Sequence, residues 1–181
     1  MSDKNAGVHL TQFGSFQHVR NWVFDLDNTL YPAECDLFAE IDTRMTDFVS
    51  RILQLPRDEA RLVQKKYYAE HGTTLSGLMT VHGIDPEDFL HYVHEVDLSP
   101  LPDLPSLRAA LEVLPGRKFV YTNGSRRHAE RVTEKMGLGH VFHGSFGIED
   151  AAYAPKPKPA SYEAFRLLHD VDPHESIFFE D

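Results

Sequence analysis

In the stretch "NWVFDLDNTLYP" a short apolar run ends in two aspartates, Asp25 and Asp27, one residue apart. Carboxylates held that close repel and raise each other's pKa unless positive charge joins them. Three other places in the chain offer matching chemistry. "VYTNGS" ends a second apolar run in Thr122 and Asn123, "IFFED" ends a third in Glu180 and Asp181, and "PKPKP" carries Lys156. Carboxylate oxygens with no soft ligand beside them favour Mg²⁺, which keeps water and takes one or two carboxylates plus substrate phosphate. A lysine suits the negative charge that develops on a transferring phosphoryl group. Thr122 and Asn123, with nearby backbone N–H groups, can donate to phosphoryl oxygens. Each feature alone is an ordinary turn after a strand. Together at one edge they are the parts of a phosphoryl-transfer centre.

The element that could gather them is a parallel sheet, whose ligands bind outside the carboxyl ends of its strands. "NWVFDL" reads as a buried strand, "RKFVYT" as a second, "HGSFGI" as a weak third and "SIFFE" as a last. Helices are expected over Pro105 to Val113, over Ser125 to Met136 with Gly137 closing it, and over Pro159 to His169. Strands alternating with helices imply an α/β fold with a Rossmann-like three-layer core. Between the first strand and this alternation the chain reads as all helix. Leu37, Ile41, Met45, Phe48 and Ile52 recur at helical spacing over Asp36 to Gln54. Pro56 opens a second helix that stops at Gly72, a third covers Thr74 to His82, and Asp85 caps a fourth with Pro86 at its first position. The expected organisation is a core from residues 1–32 and 99–181 and a small α-helical cap, 33–98, inserted after the first strand. "SPLPDLP" is the linker between them.

Composition narrows the partners. The chain has 181 residues, 41% hydrophobic and 25% charged, with 18 basic against 28 acidic residues and a formal charge of −10. Such a chain is a poor general binder of nucleic acid polymers or anionic membranes, whereas a phosphorylated small molecule remains admissible in a locally positive pocket. No apolar run reaches membrane-spanning length, and "MSDKNAGVHLTQFGSFQHVR" lacks the apolar stretch of a secretory signal and reads as a lead-in. The single Cys35 has no partner for an internal disulfide, and the eleven histidines show no zinc-binding spacing. The expected protein is cytoplasmic, a monomer or homodimer.

The four motifs in this order strongly resemble the haloacid dehalogenase-like hydrolase superfamily. Its Asp-x-Asp-x-Thr signature is matched by "DLDNT", its hydroxyl motif by "VYTNGS", its lysine motif by "KPKPASY" and its acidic motif by "IFFED". Within it, "YYAEHGTTLSGL", "VHEVDLSPLP" and "LPGRKFVYTNGSRRHAERV" look like the pyrimidine 5'-nucleotidase branch. The resemblance implies hydrolysis of phosphate monoesters, above all nucleoside 5'-monophosphates. Asp25 would attack phosphorus, Asp27 would move the proton, Thr122 and the Asn123 backbone would hold the phosphoryl group, and Lys156 would steady it. Mg²⁺ would sit on Asp25, the backbone carbonyl of Asp27 and Asp181, with Glu180 near. The acid at Asp27 favours a phosphatase over a dehalogenase, which lacks one there. Sugar-phosphate or phosphoglycolate hydrolysis, phosphomutase activity, and binding of nucleotide or metal without turnover are the competing readings. The family continues past the position of Asp181 with a turn, a helix and a strand, so the core is expected to be incomplete.

Other residues read more plainly. The family spacing selects Lys156 over Lys158, which is expected in solvent. His128 is expected on a helix surface, as are Arg126 and Arg127, and Tyr67 and Tyr68 in the core of the cap. The "GTTL" turn is the place to look for specificity, since Thr73 and Thr74 could bring hydroxyls over the site.

Overall fold

The computed structural model describes residues 16–181; most of the lead-in, residues 1–15, lies outside the described residues. Four strands form one wholly parallel sheet in the order β3-β2-β1-β4: β1 (Asn21–Phe24), β2 (Arg117–Tyr121), β3 (Gly144–Phe146) and β4 (Ser176–Phe179). The strand alternation divides two apolar layers. Trp22, Phe24 and Val120 face one side, where they pack with Leu111 of α5 (Pro105–Val113) and with Ala129 and Val132 of α6 (Arg126–Lys135). Val23, Phe119 and Tyr121 face the other, with Phe165 of α7 (Pro159–His169). A sheet buried on both faces needs apolar residues in continuous runs, supplied here by Trp22–Phe24 and Phe119–Tyr121, with Asn21, Arg117 and Lys118 at the strand starts. Each large side chain removed from water in these layers contributes about 1.5–3 kcal/mol.

Between β1 and α5 lie four helices: α1 (Leu37–Leu53), α2 (Arg57–His71), α3 (Thr74–His82) and α4 (Pro86–His94). They form the small helical cap inserted after the first strand. Their ends follow local chemistry. Asp85 accepts from the Glu87 amide to open α4, with Pro86 at a position where its missing N–H costs nothing. Thr73 accepts from the Ser76 amide to open α3. The buried face of α1 (Leu37, Ile41, Phe48, Val49) meets α4 through Phe48 and Phe89, whose rings lie edge to face at 5.2 Å. Gly77 of α3 sits against Tyr67 of α2 so closely that a Cβ there would lie 2.4 Å from the tyrosine Cβ.

Two sequence expectations need correction here. Tyr67 is in the cap core, but Tyr68, one residue round the helix, is 64% exposed. His128 is not on a helix surface. It is almost wholly buried, because α6 turns the face His128–Val132–Met136 to the sheet. Lys158, Arg126 and Arg127 are exposed as expected. No helix among the described residues is long and apolar enough to cross a membrane.

Candidate active site

The site lies at the carboxyl edge of the sheet. Asp25 directly follows β1, and its amide donates to the carbonyl of Phe179 in β4, so its position is fixed by strand pairing. Asn28 takes a left-handed φ of 62°, and the chain folds back through a turn in which the Leu30 amide donates to Leu26. That turn returns the Thr29 hydroxyl to Oδ2 of Asp25 at 3.2 Å and the Tyr31 hydroxyl to Oδ1 of Asp27 at 2.5 Å. The i, i+4 spacing of Asp25 with Thr29 and of Asp27 with Tyr31 was the sequence signal for both contacts.

Lys156 is buried at the centre. Its Nζ donates to Oδ1 of Asp25 at 2.7 Å, to Oε1 of Glu180 at 2.8 Å and to the carbonyl of Tyr121 at 3.1 Å. The sequence left open how a residue from a loop reaches this point; Asn123 supplies the answer. The Asn123 side chain accepts from the Lys156 amide at 2.7 Å and donates to the Lys156 carbonyl at 3.3 Å. Its amide side chain is therefore a clamp for the lysine, and any phosphoryl contact from Asn123 falls to its backbone. Thr122 is buried after β2. Its Oγ1 accepts from the Gly124 amide at 2.9 Å, which leaves its own hydroxyl proton free to donate.

Asp25, Glu180 and Asp181 can each turn a carboxylate oxygen to within 4.8 Å of the others. Three carboxylates against the one lysine leave an excess of negative charge, in an all-oxygen donor set that fits a hard divalent cation such as Mg²⁺. Burial pushes the Asp25 carboxyl above its ordinary range. Lys156 opposes this, while Asp27 and Glu180 add to it. Burial acts the same way on Asp27, but the contact with His128 and then the Tyr31 hydroxyl hold its carboxyl below the usual range. The two aspartates of the motif are thus driven in opposite directions by their surroundings before any phosphate or cation is beside them.

The sequence reading missed His128 and His94. Nε2 of His128 lies 3.5 Å from Oδ1 of Asp27, and the His94 ring of α4 stacks on it with centroids 4.4 Å apart. The signal was present in the helical spacing of His128, Val132 and Met136, which marks a buried stripe.

The two threonines expected over the site make their side-chain hydrogen bonds within the cap. The Thr73 hydroxyl caps α3 and donates to Ser76 Oγ at 2.8 Å, and Thr74 is buried with its hydroxyl on the carbonyl of Gln64 at 3.3 Å. Both hydroxyls serve the cap itself. Gly72, at the head of the same turn, does come down to the core: a Cβ built there would lie 3.4 Å from Cγ of Pro155, next to Lys156.

Fold and site together define a capped Rossmann-like α/β protein with a carboxylate–lysine centre at the carboxyl edge of its sheet. The chain belongs to the haloacid dehalogenase-like hydrolase family, whose model matches residues 19–181. It is 28% identical over 176 residues to Phosphate metabolism protein 8 of Saccharomyces cerevisiae, an alignment covering 87% of this chain and 54% of the yeast protein. The chain thus spans about half the length of that curated relative. Among solved structures it is similar in fold to a HAD phosphatase from Thermococcus onnurineus (TM-score 0.56, 19% identity, 88% of this chain and 76% of that one). A haloacid dehalogenase-like family hydrolase, SP0104 from Streptococcus pneumoniae, is similar at a TM-score of 0.53, with 16% identity over 91% of this chain and 76% of that one.

Proposed function

We propose that this protein is a Mg²⁺-dependent phosphatase that hydrolyses phosphate monoesters, with nucleoside 5'-monophosphates, pyrimidine ones first, as its substrates. The observation that carries the reading is the buried Asp25–Lys156 contact of 2.7 Å at the carboxyl edge, with a second acid, Asp27, two residues on. The name of the yeast relative, a phosphate metabolism protein, agrees with it.

Asp25 is the nucleophile. Its carboxylate oxygen bonds to phosphorus as the bond from phosphorus to the leaving oxygen breaks, giving an aspartyl-phosphate and dividing one hard displacement into two easier ones. Lys156 lies against this carboxylate and offsets charge on the transferring group. The negative charge of a bound phosphate raises the Asp27 carboxyl, so Asp27 takes up a proton as substrate binds. It gives that proton to the departing alkoxide, then takes one from the water that attacks the aspartyl-phosphate. Help of this kind contributes about 10²–10⁴-fold. Thr122 donates its hydroxyl to a phosphoryl oxygen, and the Asn123 amide donates beside it. Asp25, Glu180 and Asp181, with the Asp27 carbonyl, would hold Mg²⁺, which when bound neutralises phosphate charge as a Lewis acid. Residues 33–98 act as a cap that shields the aspartyl-phosphate from stray water. Thr73 and Thr74 shape the cap turn above the site, with Gly72 at its nearest approach. The working form is a cytoplasmic monomer or homodimer.

The test is phosphate release from UMP with Mg²⁺ and with excess chelator, beside Asp25→Asn. Chelator-sensitive release that the variant lacks is the expected result. A chain that releases phosphate from neither UMP nor a panel of sugar phosphates and phosphoglycolate removes the reading.

A further inference from the structure

The two carboxylate oxygens of Asp27 have unequal surroundings. Oδ1 receives the Tyr31 hydroxyl at 2.5 Å and faces Nε2 of His128 at 3.5 Å. Among the described residues no hydrogen bond reaches Oδ2. His128 is itself unusual, because its side chain is fully shielded and neither ring nitrogen has a hydrogen-bond partner among the described residues. A buried polar ring left in that state is costly, and packing alone would be served better by an apolar side chain.

The ring is also held from swinging elsewhere. Ser125 caps α6, its Oγ accepting from the His128 amide at 3.2 Å. The same Oγ lies 3.0 Å from Nδ1 of His94. His94 comes from the last helix of the cap and lies flat on the His128 ring, with planes 12° apart. Ser125 therefore sets the backbone of His128, and His94 covers one face of its ring. With the ring so held, Nε2 stands on the Asp27 side, 3.5 Å from Oδ1.

We propose that His128 is a positioning residue for Asp27: with Tyr31 it occupies the Oδ1 side of the carboxyl group, so that Oδ2 is the oxygen presented to the leaving group. The inference rests on the phosphatase reading, in which the proton on Oδ2 passes to the leaving oxygen as its bond to phosphorus breaks. It has a consequence that simple packing lacks. A ribose 5'-alkoxide needs that proton, whereas p-nitrophenolate leaves as a stable anion without one.

The experiment compares wild type, His128→Phe and His128→Gln on UMP and on p-nitrophenyl phosphate, each variant first checked by a thermal melt. The phenylalanine keeps the volume and removes the polar nitrogen; the glutamine amide keeps a donor near the same place and serves if the first variant fails to fold. Expected is a loss of turnover on UMP of about 10²-fold or more in His128→Phe, a change of no more than a few-fold on the aryl ester, and partial recovery of UMP turnover in His128→Gln. Equal losses on both esters, or none on UMP, overturn the proposal. A second readout is independent of turnover: the imidazole ¹⁵N signals of His128 should move in Asp27→Asn, and unmoved signals overturn the contact. A wild type inert toward both esters overturns the phosphatase reading instead, and the imidazole signals still decide whether His128 holds Asp27.

Discussion

Nζ of Lys156 and Oδ1 of Asp25 lie 2.7 Å apart, although the two residues are separated by most of the chain and both are buried. The lysine offsets only part of the local charge, since Glu180 shares it and Asp27 stands close by. The Asp25 carboxyl is consequently raised, chiefly by burial. A group whose folded pKa is raised contributes stability below its unfolded value, 3.8, and loses that contribution as pH rises through the folded pKa. At neutral pH Asp25 therefore costs stability. Asp25→Asn keeps an oxygen for Lys156 and removes the charge, so its melting temperature at pH 7 should exceed that of wild type in metal-free buffer, while phosphate release is lost. Lys156→Ala should do the opposite to stability, because it leaves carboxylates buried without their cation; breaking such a pair costs about 3–5 kcal/mol. Thermal melts of the two variants should move in opposite directions.

His94 provides a pH dependence of definite sign. Burial, with the nearby charge of His128, pushes its imidazole down to about 3 from an ordinary 6.5. The unfolded chain then binds a proton that the folded chain refuses between those values. Stability is complete above about pH 6.5 and falls as the solution is acidified toward pH 3, by roughly 3 kcal/mol at pH 4. Denaturant unfolding at pH 7 and pH 4 should show this loss, and His94→Phe, which keeps a flat ring but cannot titrate, should show a smaller one.

The cap is tied to the core by the Tyr153 hydroxyl, which donates to Oε1 of Glu87 in α4 at 2.8 Å. Tyr153 and its predecessor Ala152 both have positive φ, 63° and 48°, so the loop ahead of Lys156 is held in a backbone conformation uncommon for such residues. Burial, with the Glu87 hydrogen bond, pushes the phenol up to about 12, so it remains a donor across the working range. Tyr153→Phe should loosen the cap with little change in stability, about 1 kcal/mol or less for an exposed contact. Steady-state kinetics on the best substrate should show kcat and KM changing together, as they do when a closing element is disturbed. Unchanged values of both would mean that this tie has no part in turnover.

Gly77→Ala tests the packing of the cap directly. A methyl group at Gly77 would meet the Cβ of Tyr67 at 2.4 Å and its Cγ at 2.5 Å, where neither backbone nor ring stem can yield. The greater helix propensity of alanine, worth about 1 kcal/mol, is outweighed by separation of α3 from α2. The net destabilisation should be about 1–3 kcal/mol in chemical unfolding.

Much of the architecture was legible because its signals are local. Proline at the starts of α4, α5 and α7, the caps at Thr73 and Asp85, and the glycines after α2 and α3 each state where a helix begins or ends, and the observed bounds differ from the expected ones by about a residue. The pair Asp25 and Asp27 stood out for a related reason: two carboxylates after a buried strand have no inexpensive structural explanation. Tyr68 was misplaced because two adjacent tyrosines look alike in sequence, yet successive helix residues point about 100° apart and only one can face the core.

By itself the sequence determined the order of strands and helices, the insertion after β1 and the set of residues able to handle a phosphate. What the tertiary structure alone decided was which atoms meet. That Asn123 clamps the backbone of Lys156, that the Thr73 and Thr74 hydroxyls belong to the cap, and that His128 faces Asp27 beneath His94 all depend on contacts between distant segments. Chain periodicity reports which face of an element is apolar. It carries no information on which of several buried polar groups lies opposite another, because that is set by how the elements pack.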